Sequence, residues 1–167
     1  MTDAPLEIHP ETISEKPQVF EGTADLAELY DIADTLANSD GELRYRVTAQ
    51  LDGGRRKVVS CIIEGFVFLM CQNTLEAFRH DISISDRLVL VDAESRLPPI
   101  EEENDTEDYV VADGPIDVLD LVEEAVLLAL PMVPRKPGLE GADARKPEGT
   151  PRESPFAALE RLKKKTD

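Results

Sequence analysis

The segment Gly41–Leu51, GELRYRVTAQL, puts Leu43, Tyr45, Val47, Ala49 and Leu51 on one face of an extended chain and Arg44, Arg46, Thr48 and Gln50 on the other. Such alternation specifies a half-buried strand, because successive side chains of a strand point to opposite faces. Asp52-Gly53-Gly54 follows, a turn sequence in which glycine supplies positive φ. The next apolar run, Arg55–Cys71, is therefore expected to fold back as the hairpin partner. Gly65, in the middle of that run, predicts a bulge or a sharp coil of the sheet. Alternation returns in RHDISISDRLVLV, residues 79–91, through Ile82 and Ile84 and again from Leu88. A central antiparallel sheet results.

Two helices flank it. Asp25–Ala37 places Leu26, Leu29, Tyr30, Ala33 and Leu36 at helical spacing, with Thr23 as the expected N-cap of a short N-terminal helix. IDVLDLVEEAVLLAL, residues 116–130, carries the strongest helical pattern and gives a longer helix near 117–130, capped by Asp117 and ended by Pro131. Asp120, Glu123 and Glu124 fall on its expected wet side, and Leu119, Val122, Val126 and Leu130 on its dry side. The fold class is α+β. Aromatic residues are only 5% of the chain and tryptophan is absent, so the core is expected to be aliphatic.

The organisation expected is a single domain over residues 1–134, with 1–20 irregular and 92–114 an acidic loop that holds a short edge strand at 109–111. A disordered linker over 135–153, rich in proline, glycine and charge, then leads to a short amphipathic basic tail helix over 154–167. In that tail Phe156, Leu159 and Leu162 form an apolar stripe, followed by Lys163, Lys164 and Lys165. The first twenty residues carry acid and three prolines where an export signal needs a basic start and an apolar core. The apolar stretches Cys61–Cys71 and Val118–Leu130 are too short to cross a bilayer. These features lead to a cytoplasmic expectation.

The net charge of −17 excludes simple phosphate tracking by the body of the protein, since a polyanion repels another. Thirteen acidic residues stand between Asp92 and Glu124 against the single Arg96, which points to a basic partner. Arg44, Arg46, Arg55, Arg56 and Lys57 are expected to lie near one another on the hairpin. Two uses compete for them: a small RNA-facing patch, or edge charges that discourage aggregation.

Metal chemistry finds little support. Cys71 has His80 nine residues on, but no further ligands follow at a zinc spacing, and Cys61 is expected in the core. Glu101–Asp105 lacks the glycine and ligand rhythm of a calcium loop. Ser60, Ser83 and Ser85 sit in strands without a glycine elbow, and no phosphate-binding glycine loop is present. No enzyme and no cofactor are expected.

Several motifs remain: Cys71-Gln72-Asn73-Thr74-Leu75 with Phe78; Ile116-Asp117-Val118 with Glu123-Glu124; Leu128-Ala129-Leu130-Pro131; Val133-Pro134; and Pro155-Phe156-Ala157-Ala158-Leu159 with Leu162-Lys163. In this order they resemble the YceD family, named for accumulation of the large-ribosomal-subunit RNA. The resemblance is dense over the second half of the chain. Its positions include Cys71, Phe78, Leu130, Pro131 and Pro134. Where the family pattern reads Cys-x-Arg-Cys, this chain has Asn73 and Thr74 in place of the arginine and second cysteine, so no thiol-pair chemistry carries over. The resemblance implies a non-enzymatic factor for ribosomal RNA accumulation in a bacterial cytoplasm. Charge suggests that it acts as an acidic adaptor for a basic ribosomal or assembly protein, through Asp117, Asp120, Glu123, Glu124 and the tail stripe. The alternative is a module binding ribosomal RNA directly through the hairpin cations and the tail lysines.

Overall fold

The computed structural model describes residues 6–53, 55–99 and 106–138. The compact unit spans Met1–Arg135. Beyond residue 138, the expected linker and tail helix lie outside the described residues, as does the acidic run 100–105.

Strands β2 (Gln18–Ala24), β3 (Glu42–Leu51), β4 (Lys57–Met70), β5 (Ala77–Val91) and β6 (Asp108–Val111) form a five-stranded sheet in the order β2-β3-β4-β5-β6. The first four pair antiparallel, and β6 pairs parallel to β5, with Leu88 opposite Asp108 and Val91 opposite Val111. The sheet is thus mixed at one edge. Strand β1 (Glu7–Ile8) pairs with β7 (Ile116–Asp117) as a separate ladder. Helices α1 (Tyr30–Ala33) and α2 (Val118–Ala129) complete the α+β fold.

One face of the sheet supplies most of the core, with Val58 and Val89 buried on the other. Leu43, Val47 and Ala49 of β3, Val59, Cys61, Ile63, Val67 and Leu69 of β4, and Phe78, Ile82, Ile84 and Leu90 of β5 are all buried. Against them α2 buries Val118, Val122 and Val126, and α1 buries Ile32. The period-two alternation predicted for β3 and β5 is the one observed. The small aromatic share shows in the core, which is mostly Val, Leu and Ile.

Three local expectations are corrected. Residues 6–20, expected to be irregular, contribute β1, a 3-10 turn at Pro10–Thr12 and the start of β2. Thr23 lies within β2 opposite Arg44 and does not cap a helix. The helix expected over 25–37 shrinks to four residues because its ends are used otherwise. The Asp25 side chain accepts from the Ala27 N–H at 2.9 Å, which makes a turn, while Leu36 bridges to Leu69 and the Ala37 N–H donates to the Phe68 carbonyl at 2.7 Å. Of the expected apolar face Leu26 and Leu29 are buried and Leu36 half-buried, but Tyr30 and Ala33 are exposed and Ile32 is buried instead, because the chain does not continue as a helix.

Gly65 carries no bulge. Its pairing with Leu43 on one side and Ile82 on the other is continuous. The residue adopts φ 151°, and the Glu42 carbonyl oxygen lies 1.9 Å from where a Cβ would stand, an approach that only glycine allows. Among the described residues of the β3–β4 turn, Arg55 carries a positive φ of 61°.

Candidate functional site

Strand β5 runs Phe78, His80, Ile82, Ile84, Asp86, Leu88, Leu90 along one side by alternation. Five of these positions, Phe78, Ile82, Ile84, Leu88 and Leu90, are apolar. Asp86 puts a carboxylate into the core-facing row, opposite Cys61 of β4. It faces a groove of about 600 Å³ between α2 and the β5–β6 edge, floored by Val59, Cys61, Leu88 and Leu90. Asp108 and Val110 of β6 form one wall; Leu121, Ala125 and the mostly exposed Leu128 of α2 line the other. Asp120 and Glu124, exposed and one helical turn apart, stand on the α2 rim, with Asp113 at the β6–β7 connection. The volume suits a bound segment of side chains, and the floor is aliphatic.

Electrostatics here are uncompensated. Burial raises the Asp86 carboxyl above its ordinary value, and the neighbouring Asp108 charge raises it further. Burial likewise pushes the Cys61 thiol up to about 11, with Asp86 adding to the effect. This thiol stays protonated and unreactive near neutral pH. Asp86, Asp108, Asp120 and Glu124 have no cationic partner among the described residues.

The four acidic residues expected to bind a partner divide. Asp117, Asp120 and Glu124 line the groove. Asp117 is the α2 N-cap, its Oδ1 accepting from the Leu119 N–H at 2.7 Å and the Asp120 N–H at 3.2 Å. Glu123 is not on the wet side: it is 8% exposed and accepts the backbone N–H groups of Asp31 and Ile32, joining α1 to α2. The α2 surface that turns to α1 buries this carboxylate because the first turn of α1 presents unsatisfied N–H donors there.

The hairpin cations do not converge. Arg46 lies opposite Ile62 and Arg44 opposite Glu64, whereas Lys57 pairs with Leu51 at the far end of the strand, roughly 17–23 Å away at the usual rise. Arg44 is paired with Glu42 at 2.7 Å and Arg46 with Glu21 at 2.9 Å. Arg56 binds Glu107 at 3.0 Å and Asp52 at 2.8 Å, and Arg87 joins Glu107 at 2.7 Å. Arg55 and Lys57 line a smaller cavity of about 330 Å³ with Arg96 and Asp92. Phe156, Leu159, Leu162 and Lys163–Lys165 lie outside the described residues.

The motif positions gather at the opposite end of β4. Cys71 is fully buried, its N–H bonded to the Glu76 carbonyl at 2.9 Å, and Leu75 closes the turn at φ 57° with its N–H on the Cys71 carbonyl at 2.8 Å. Thr74, at the second-cysteine position, is exposed. Phe78, Leu130 and Pro134 are buried and Pro131 half-buried, and the Gln72 N–H donates to the Pro134 carbonyl at 3.0 Å. The turn thus fastens the Val133-Pro134 segment to the β4–β5 hairpin.

Asp86 and Asp108 were not singled out from the sequence. The usable signal is the alternation 82, 84, 86, 88, 90, in which one charged residue occupies an inward position. Among the described residues no group of three His, Cys, Asp or Glu side chains could hold a metal ion, and no helix is long and apolar enough to cross a membrane.

No solved structure matches the chain. A family model described as "Large ribosomal RNA subunit accumulation protein YceD" matches residues 59–163, which takes in the groove, the 71–76 turn, α2 and the Pro-Phe-Ala motif. That name implies a role in accumulation of the large ribosomal RNA subunit, and with more than half of its length matched the chain belongs to the YceD family.

Proposed function

We propose that this protein is a non-enzymatic cytoplasmic adaptor in large-subunit ribosomal RNA accumulation, which acts by holding a basic ribosomal or assembly protein on its acidic surface. The observation that carries this reading is the distribution of paired and unpaired charge. Arg44, Arg46, Arg56, Arg79, Arg87 and Arg96 all sit on carboxylates, while the acids of the α2 groove have no cationic partner among the described residues. A surface of this kind attracts cations and repels phosphate, at net charge −17. The tail residues Phe156, Leu159 and Leu162 provide a second attachment in this proposal, and two linked contacts raise effective concentration.

The rival is direct binding of ribosomal RNA through Arg55, Lys57 and Lys163–Lys165. Binding of the purified chain to large-subunit RNA, and separately to the isolated basic large-subunit proteins, is to be measured across salt concentrations. The adaptor reading expects protein binding that weakens with salt and no RNA binding at physiological salt. Measurable RNA affinity with a steep salt slope and no protein present would overturn it. Joint replacement of Phe156 and Leu159 by alanine should leave Tm unchanged while large-subunit RNA falls in the host.

A further inference from the structure

The groove can be assigned an occupant by chemistry. Its accessible apolar surface, the half-buried Leu88 with the exposed Val110 and Leu128, is aliphatic and asks for aliphatic side chains. Asp86 asks for something else. It is an aspartate on the core-facing side of a sheet, half-buried, with Asp108 close enough to repel it and no cation in the described chain to offset either. A carboxylate in such a place is a cost to the folded protein, since nothing replaces the water it has lost. Asparagine would be nearly isosteric without that cost. The arrangement gains a reason if a cation arrives from outside.

We propose that the groove between α2 and the β5–β6 edge receives an aliphatic segment of a partner protein that carries a lysine or arginine, whose cation seats between Asp86 and Asp108. Asp120 and Glu124 on the α2 rim then attract further basic residues of the same segment and set the direction in which it lies. The groove therefore selects by composition: a purely basic segment finds no use for the floor, and a purely apolar one leaves Asp86 and Asp108 opposed. This assignment rests on the adaptor reading and names the partner's chemistry within it.

The raised Asp86 carboxyl supplies an independent readout. An acid whose folded pKa lies above its unfolded value weakens folding at pH above the folded value. Asp86→Asn should therefore raise the Tm of the free chain at pH 7, by about 2 °C or more. A residue held only for structure would lower it.

The test uses the full chain and a synthetic peptide in which lysine alternates with valine, with glutamate and serine replacements of its lysines and valines as controls. Saturable binding is expected, with amide shifts at Leu88 and Val110 and not on Arg44 or Arg46 across the sheet. Asp86→Asn should weaken it about tenfold while stabilising the free protein, and both control peptides should bind more weakly. No binding, binding indifferent to Asp86→Asn, or a lowered Tm in that variant would each overturn the assignment. Host large-subunit RNA is measured in Asp120→Lys/Glu124→Lys beside it. If peptide binding depends on Asp86 but RNA levels ignore the rim reversal, the adaptor reading fails. If the reverse holds, the cation seat fails alone.

Discussion

A Cβ on Gly65 would stand 1.9 Å from the Glu42 carbonyl oxygen and 2.9 Å from its carbon, backbone atoms held in the β3–β4 ladder, while Gly65 itself is paired on both sides. Gly65→Ala is therefore expected to cost about 3 kcal/mol in urea denaturation, at the upper end of overpacking costs, since the φ of 151° adds strain. A loss under 1 kcal/mol would mean that the approach is not close. Glu123 makes the second residue-scale case. Its carboxylate satisfies two N–H groups at the start of α1, so Glu123→Ala should destabilise by about 1–3 kcal/mol, whereas Glu123→Gln, which keeps an oxygen acceptor, should lose less. Equal stability of all three proteins would return Glu123 to the surface. Neither role was legible in the sequence. Gly65 announced a departure from ordinary strand backbone but not which kind, and Glu123 sat in an acid-rich helix face whose α1 neighbour comes from ninety residues earlier.

At the scale of elements, alternation and turn chemistry gave β3, β4, β5 and α2 nearly to the residue, because each is long enough for its period to show. Strand β2 was hidden because its outward-facing Val19 is apolar while its inward row, Gln18, Phe20, Gly22 and Ala24, is only half apolar, a pattern with little contrast between faces. The parallel pairing of β6 could not be read from four residues. What holds β6 in place is legible only in three dimensions: Glu107, just before it, meets Arg87 of β5 and Arg56 of the β3–β4 turn. The Arg87 hydrogen bond first, and then that from Arg56, lower the Glu107 carboxyl below its ordinary value. A carboxyl lowered in the folded state contributes fully above its unfolded pKa of about 4.3, and loses that contribution as pH falls through the folded value. Glu107→Gln should therefore lower Tm at pH 7, and the gap from the wild type should close as the pH is taken below about 4. A pH-independent gap would assign the effect to packing.

The whole molecule distributes its two thiols along the central strand. Cys61 is 1% exposed and Cys71 is not exposed at all, and burial, then the Asp86 charge, raises the Cys61 thiol to about 11. Both lie where local fraying of a terminus does not reach, so their labelling by a thiol reagent at pH 8 should require opening of the sheet and should track global stability in urea. Rapid labelling of Cys71 with Cys61 protected would show that the 71–76 turn opens by itself. At this scale the sequence announced an acidic protein and its family resemblance, yet the site stayed obscure. It is made by residues from β4, β5, β6 and α2, and its defining carboxylates are ordinary surface residues until register places them.

The ladder between β1 and β7 has a consequence in time. Glu7 stands opposite Asp117 and Ile8 opposite Ile116, and the Val118 N–H that opens α2 donates to the Leu6 carbonyl at 2.8 Å. A chain made from its N-terminus completes the β2–β5 meander from neighbouring hairpins while Ile8, fully buried at the end, still lacks the strand it pairs with. At about 5–20 residues per second its partner strand follows on the order of ten seconds later. During synthesis the β1 strand therefore waits longest for its partner, and the start of α2 closes on a segment made long before it.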